Sequence, residues 1–442
     1  MSIMQLKQII IDNFACFKHF EIEFKPGVNV IIGRNGAGKS SLIKSLVYVM
    51  NFIFTNDKSM GKDYLSAGNP DLKMNSVGAA EFYRYKEKAE AVPDCNLHGE
   101  LLFGGKVLSW DMYKKSTYGA SLYPSKYQEA YRELMSLAHA SGKLPLLAYF
   151  SDSFPHKQTN ISSFAKNEIS KGEGILRNFG YYQWDNDTAC TMIWQLRLLD
   201  AMARSLSLDS KDSAPSQEVN YIIRLLMQFS TPLKDGSDDS FQIDNVFFSF
   251  KGGKTPELWL RLHSGIELPF NSLPAGYLRL YGMVLDLAYR SFLLNRKNRD
   301  DVMGLVLIDE IDLHLHPSLV IEVIDRLCSV FPKFQFVVTT HSPLVVTNIK
   351  VDERNQVFRL VSGEEKPHLL PDLFGIDYNA GLLDGMGVIP TNEDIDYVKR
   401  GIIRAFRNHD NDLAEIKIKE LKSIVSENRY KEIWKEIENT LK

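Results

Sequence analysis

The chain has 442 residues, 44% of them hydrophobic, with 52 Lys and Arg set against 55 Asp and Glu for a formal net charge of -3. That suffices for one large domain with insertions or for two or three smaller ones, and a balance so even exerts no global pull on nucleic acid or an anionic membrane. Cys16, Cys95, Cys190 and Cys328 lie far apart without a CxxC pair, and no run reaches the roughly 18 uncharged residues of a membrane span, so the expectation is an unprocessed, soluble chain in the reducing cytoplasm.

The opening reads as sheet: "QLKQIIIDN", then "HFEIEFK", a Pro26-Gly27 turn, and "VNVIIG" leading into a glycine-rich loop. From about 51 to 96 the text is irregular and polar, after which "NLHGELLFGGKVLSWDMY" alternates about Gly104-Gly105 as a hairpin does. A helical segment, "SKYQEAYRELMSLAHAS", precedes the apolar strand "LPLLAYF"; "TMIWQLRLLDAMARSL" and "EVNYIIRLLMQF" read as helices on either side of a linker. Trp194 belongs to the apolar stripe of the first of them and is expected in the core. "FQIDNVFFSF", "ELWLRLH" and "IELPF" form a strand meander, and "LRLYGMVLDLAYRSFLL" is an apolar helix. "GLVLIDE" and "FQFVVTTHS" are continuous apolar runs, as in strands of a parallel sheet buried on both faces. After Pro371 the pattern turns helical, with charged amphipathic stretches over 394–407 and 413–441 expected to pair antiparallel; Glu393, Asp394 and Asp396 read as charges at a helix N-terminus. No sustained heptad run is present, so no long coiled coil is expected.

Three segments carry chemistry. In "GRNGAGKSS", Gly33, Arg34, Asn35, Gly36, Ala37, Gly38, Lys39, Ser40 and Ser41 fit GxxxxGK[ST] between a strand and a helix. The glycines let the backbone curl so that N–H groups converge on phosphate oxygens, and the helix adds its positive end. Lys39 neutralises the β and γ phosphates and Ser40 ligates Mg2+. "GLVLIDE" delivers Asp309 and Glu310 at a strand end, one placed to hold the metal and the next to polarise a water in line with the γ phosphate. "VVTTHSP" ends a neighbouring strand at His341, within reach of the same phosphate. A zinc cluster of His314 and His316 with Asp309, Glu310 and Asp312 lacks a further imidazole and fails on ligand count. Arg290, Arg296, Lys297 and Arg299 are read as a solvated helix end favoured by the dipole, with a nucleic-acid stripe as the alternative.

These segments, in this order and with "LPFNSLPAGYLRL" before the second, resemble the ABC-type ATPase heads of the RecF, SMC, Rad50 and OLD group over residues 1–50 and 240–350. The resemblance implies an α/β head, with a mixed sheet core and antiparallel and helical subdomains, spanning 1–350 and split by an insertion at about 51–240; 351–442 would be a helical region for oligomer or effector contacts. It implies ATP and Mg2+ as ligands, Ser40 and Asp309 on the metal, Glu310 as general base, His341 as switch histidine and Leu313 to His316 as the D-loop. Pro274 stands where the signature serine is usual, with Gly276 and Tyr277 matching, so backbone N–H groups or Ser272 must take over that contact. Such heads sandwich ATP between two copies, implying a homodimer or a higher oligomer. Without coiled coils or an appended Toprim site, the chain is similar to stand-alone anti-phage ATPases, the Septu and retron PtuA type and the AriA ATPase of PARIS, with the leaning toward PARIS. That implies a scaffold and sensor that holds a separate Toprim-like effector nuclease and releases it when a phage trigger protein appears. The alternative is a RecF- or Rad50-like clamp on DNA; a transporter ATPase fits poorly, since nothing offers a membrane partner.

Overall fold

The computed structural model describes residues 4–57, 59, 64–83, 94–117, 122–152, 161–185, 191–208, 213–234, 240–251, 253–387 and 393–441. The chain divides into two compact units, Met1–Gly375 and Ile376–Lys442.

In the first unit, β1 (Met4–Phe14) and β2 (Phe17–Glu23) lead to β3 (Val28–Gly33), the glycine loop and α1 (Lys39–Met50). β4 (Asn96–Phe103) and β5 (Lys106–Asp111) turn about Gly104-Gly105 and join β1 and β2 in an antiparallel sheet of order β2-β1-β4-β5. Next come α2 (Gln128–Ser141), β6 (Leu146–Phe150), α3 (Ser163–Ser170), α4 (Thr191–Ser207) and α5 (Ala214–Ser230). β7 (Ile243–Ser249), β8 (Glu257–Leu262) and β9 (Glu267–Pro269) make a three-stranded antiparallel meander. It is followed by α6 (Ala275–Leu294), β10 (Gly304–Ile308), α7 (Pro317–Val330), β11 (Phe334–Thr339), α8 (Pro343–Thr347), β12 (Gln356–Leu360) and β13 (His368–Leu369).

The central sheet has order β13-β12-β3-β11-β10-β6, parallel except at the β12/β13 edge. β10 and β11 are buried at every position, so their apolar runs cost nothing in exposed surface, and each buried Val, Leu or Ile contributes about 1.5–3 kcal/mol. β12 and β13 were not expected: "QVFRL" is short and carries an arginine, and it is the register with β3, Gln356 to Asn29 through Leu360 to Gly33, that makes it a strand. Both strands belong to the first compact unit, which ends at Gly375.

The helical subdomain is organised by buried charge. Trp194 is fully buried on α4, stacks on Tyr289 at 5.3 Å and donates from its indole to Asp286 Oδ1 at 3.0 Å. Arg197 meets Glu218 of α5 with two bonds of 2.7 and 2.6 Å, the forked geometry that lets a guanidinium leave water. At 20 residues, α6 is the longest helix among the described residues, and none is long and apolar enough to cross a membrane.

Among its described residues the second unit begins with short helical turns at Tyr378–Ala380 and Gly381–Met386 and then has three longer helices where the sequence pattern suggests two: α9 (Glu393–Arg407), α10 (Asn411–Ile424) and α11 (Glu427–Leu441). The stretch 413–441 breaks because Val425 turns extended, at φ -119, and the Ser426 carbonyl starts a new helix by accepting from Tyr430 N at 2.8 Å. Val398, Ile402, Leu421, Ile433 and Ile437 form its own small core. The side chains of Glu393 and Asp394 lie outside the described residues; Asp396 pairs with Arg400 one turn on, a helix-surface pair.

Candidate functional site

β3 ends at Gly33 and α1 begins at Lys39, and the five residues between them must reverse the chain over the helix N-terminus. Gly36 and Gly38 take φ of +80 and +99, which only glycine adopts without strain. Gly38 is also packed from outside. A Cβ there would stand 2.7 Å from Cys16 Sγ, in the turn between β1 and β2, and 2.7 Å from the tip of the ring of Phe17, the first residue of β2. Phe17 cannot easily yield, being 6% exposed and held against Phe20 at 4.7 Å. Gly38→Ala combines left-handed strain of about 1–2 kcal/mol with overpacking of about 1–3 kcal/mol. It should weaken binding of a fluorescent ATP analogue by roughly 100-fold while the protein stays folded by circular dichroism. Unchanged affinity would mean that the loop need not hold this shape to bind.

Lys39 lies folded over the loop, its ammonium donating to the carbonyls of Gly33 at 3.0 Å and Arg34 at 3.4 Å. Burial pushes its pKa down, and the charges of Asp309 and Glu310 oppose that shift, so the lysine and the carboxylate pair share one electrostatic neighbourhood. Arg34, Asn35, Gly36 and Ser40 are exposed, Ala37 is buried, and Ser41 lies between.

The carboxylate pair is positioned from β11, the strand between β3 and β10. Thr339 Oγ1 donates to Asp309 Oδ1 and accepts from Glu310 N at 2.9 Å. Thr340 Oγ1 donates to Asp312 and Thr340 N to Ile31 O of β3 at 3.2 Å, which stitches the glycine-loop strand to the segment after Glu310. Glu310 has φ +52, a left-handed conformation that costs a non-glycine residue about 1–2 kcal/mol. It persists because its N–H is held by Thr339 and its carbonyl accepts from Leu313 N at 3.1 Å and Arg279 at 3.1 Å. Sequence reading found neither Thr339 nor Arg279. The threonines were visible in "VVTTHSP", but read there only as the end of a strand.

His341 follows directly, exposed beyond β11. His316 is exposed and its Nδ1 caps α7, accepting from Ser318 N at 3.4 Å. Among the described residues no group of three or more His, Cys, Asp and Glu is arranged to hold a metal. Pro274 is the exposed N-cap of α6 and offers no side-chain cap; the first intrahelical bond runs from Leu278 N to Pro274 O at 2.9 Å, which leaves the N–H groups of 275 to 277 outside the helix ladder. Gly276 packs against the segment after Glu310, where a Cβ would meet His314 O at 2.5 Å.

Of the basic residues at the end of α6 and beyond it, Lys297 is exposed, while the three arginines are engaged internally. Arg290 is buried and paired with Asp286, Arg296 donates to the carbonyls of Glu173 at 3.0 Å and Ile175 at 2.7 Å, and Arg299 lies over Tyr221 and Phe292 at 5.6 and 5.5 Å. Cys16, Cys95 and Cys328 are free thiols, and Cys190 lies outside the described residues.

Two family models match the chain: an AAA domain over residues 8–173, and an AAA domain described as a putative AbiEii toxin of a Type IV TA system over residues 194–347. The chain is similar to a retron Vc95 probable ATPase of Vibrio cholerae, at 24% identity over 82% of this chain and 76% of that one. It is also similar to a Septu protein PtuA of Bacillus mycoides, at 40% identity over 21% of this chain and 13% of the relative. A DNA double-strand break repair Rad50 ATPase of Saccharolobus solfataricus is 47% identical over 21% of this chain and 10% of its own length. The chain thus spans three quarters of the retron protein and only small parts of the other two. With AAA-type ATPase sequence in both halves, folded so that the acids after β10 reach the charge of Lys39, the chain belongs to the RecF/SMC/Rad50-like superfamily of ABC ATPases, with homologues in retron and Septu systems.

Proposed function

We propose that this chain binds ATP in the cradle from Gly33 to Ser41 and hydrolyses it with Glu310 as general base. Backbone N–H groups of Arg34 to Gly38 take the phosphate oxygens, Lys39 neutralises the β and γ phosphates, and His341 contacts the γ phosphate. Ser40 and Asp309 would hold a magnesium ion, which would supply positive charge against the negative charge developing on the phosphoryl and leaving oxygens. The observation that carries the reading is Glu310 itself: an acid kept in a costly backbone conformation at a strand end, with Lys39 in electrostatic reach. Strain of this kind is retained where it serves a site.

Two copies would close face to face, with the N-terminus of α6, Gly276 and the His316 segment turned to the nucleotide of the other copy. Here Pro274 offers no hydroxyl, so the closed dimer rests on backbone donors or on Ser272.

What the closed dimer acts upon has two readings. A clamp on duplex DNA is the better supported, because repair ATPases such as Rad50 are among the relatives and it requires no further chain. Its contacts must lie away from Arg290, Arg296 and Arg299, whose charges are used internally. Control of a separate Toprim-like nuclease through 376–442, triggered by a phage protein, is supported by the retron and Septu relatives. Filter binding of duplex DNA with ATP, between about 50 and 200 mM salt, decides between them: the clamp predicts ATP-dependent retention that falls by roughly 10³-fold or more across that range. No retention in any nucleotide state removes the clamp and leaves the effector reading, for which a stable complex with the product of a neighbouring gene is the expected result.

A further inference from the structure

Arg279 stands one turn into α6 and is 0% exposed, although the helix starts in solvent at Pro274 and Ala275. Taking a guanidinium out of water costs several kcal/mol unless strong partners replace the solvent. Its described partners include main-chain oxygens from the segments that follow β6 and β10. Nη1 donates to the carbonyls of Ser151 and Asp152 beyond β6, each at 3.2 Å, and Nη2 donates to the carbonyls of Asp309 at 2.8 Å and Glu310 at 3.1 Å. The negative charges of Asp152, Glu310, Asp309 and Asp312 act against the burial that would otherwise weaken its hold on the proton.

The last two carbonyls belong to the peptide planes on either side of the Glu310 α-carbon. Fixing both planes fixes φ and ψ of Glu310, and so the direction in which its side chain leaves the backbone. That φ is the left-handed +52, which relaxes unless it is held. The same helix touches the next segment again: Gly276 lies against the carbonyl of His314, another left-handed residue at φ +63. The start of α6 and the backbone around Glu310 therefore move together or not at all.

We propose that Arg279 is a positioning residue, which ties the direction of Glu310 to the seating of the α6 N-terminus through the two peptide planes that flank Glu310. The inference rests on the proposed role of Glu310 as base. It gives the signature helix a route to the chemistry of its own copy: when α6 shifts, Glu310 loses its aim before nucleotide is lost from the Lys39 loop. Lysine cannot substitute, since a single ammonium cannot span carbonyls on both sides of the guanidinium fork.

The test uses the full chain as wild type, Arg279→Lys, Arg279→Ala and Glu310→Gln, with steady-state ATPase rates and the affinity for a fluorescent ATP analogue. A mis-aimed base at sub-ångström to 1 Å scale costs up to about 100-fold, so Arg279→Lys should lose roughly 10- to 100-fold in kcat with ATP affinity kept within about threefold. Arg279→Ala should lose more and regain part of its rate when guanidinium is added at low millimolar concentration, a rescue that mere loosening of the helix would not give. Wild-type kcat in Arg279→Lys overturns the proposal. So does a parallel loss of rate and affinity without rescue; if Arg279→Ala fails to fold, Arg279→Lys decides alone. If instead Glu310→Gln turns over at the wild-type rate, the reading of Glu310 fails first, which is a separate result.

Discussion

Glu310→Gln should lower the ATP turnover rate by about 10² to 10⁴-fold, the range contributed by a positioned general base, while ATP affinity changes by less than about threefold. Glutamine keeps the length and shape of the side chain, and the groups that hold position 310 are its own N–H and carbonyl, bonded to Thr339 and to Arg279 and Leu313. The substitution therefore leaves the strained backbone where it is and removes only the capacity to accept a proton. Because binding survives and turnover does not, the ATP-bound form should accumulate, and light scattering with ATP and magnesium should show a larger dimer fraction than wild type under the same conditions. A second consequence concerns Thr339. Its hydroxyl donates to Asp309 and accepts from Glu310 N, so it aligns both acids at once. Unimpaired turnover by Glu310→Gln would remove the assignment of the base and, with it, the reason for the strain at this residue.

The parts of this site that could be read from the sequence are those whose chemistry repeats locally. A glycine loop must announce itself, since positive φ at Gly36 and Gly38 leaves the chain no other residue to use. The strands β10 and β11 announce themselves too, because burial on both faces demands unbroken apolar text. What escaped depends on distant partners. β12 is a strand because β3 offers it a free edge, and nothing in "QVFRL" carries that information. Arg279 sits in an apolar helix where an isolated arginine would be given to solvent, and its four carbonyl partners come from segments up to 128 residues away. Arg290 misled in the opposite way: it stood in a basic run that suggested a surface, and Asp286 one turn earlier takes it inside. The break at Val425 lay within reach, because a serine before an acidic first turn is a helix start, but the amphipathic pattern on both sides concealed it.

Lys39→Ala should abolish measurable ATP binding at micromolar nucleotide. The ammonium makes charge-assisted bonds of about 1.5–3 kcal/mol each, and the loss of two at the phosphates amounts to roughly 10²- to 10⁴-fold in affinity. The free protein should tolerate the change. Lys39 is 8% exposed and burial already disfavours its charge, and in the absence of phosphate its donors meet only the carbonyls of Gly33 and Arg34. Its removal takes away a desolvated cation together with part of the charge that balances Asp309 and Glu310, and these opposing changes should leave the melting temperature without nucleotide within a few degrees of wild type. The contrast appears on adding ATP. A ligand at a hundred times its dissociation constant stabilises the fold that binds it by about 2.7 kcal/mol, so wild type should melt several degrees higher with ATP and magnesium, and Lys39→Ala should not shift at all. Gly38→Ala offers an internal comparison, since it leaves the lysine in place and distorts only the loop: it should shift at high ATP and fail to shift at low ATP. If Lys39→Ala keeps the full ATP-dependent shift, the nucleotide is held elsewhere on the molecule, and the roles given to Ser40, Asp309 and Glu310 go with it.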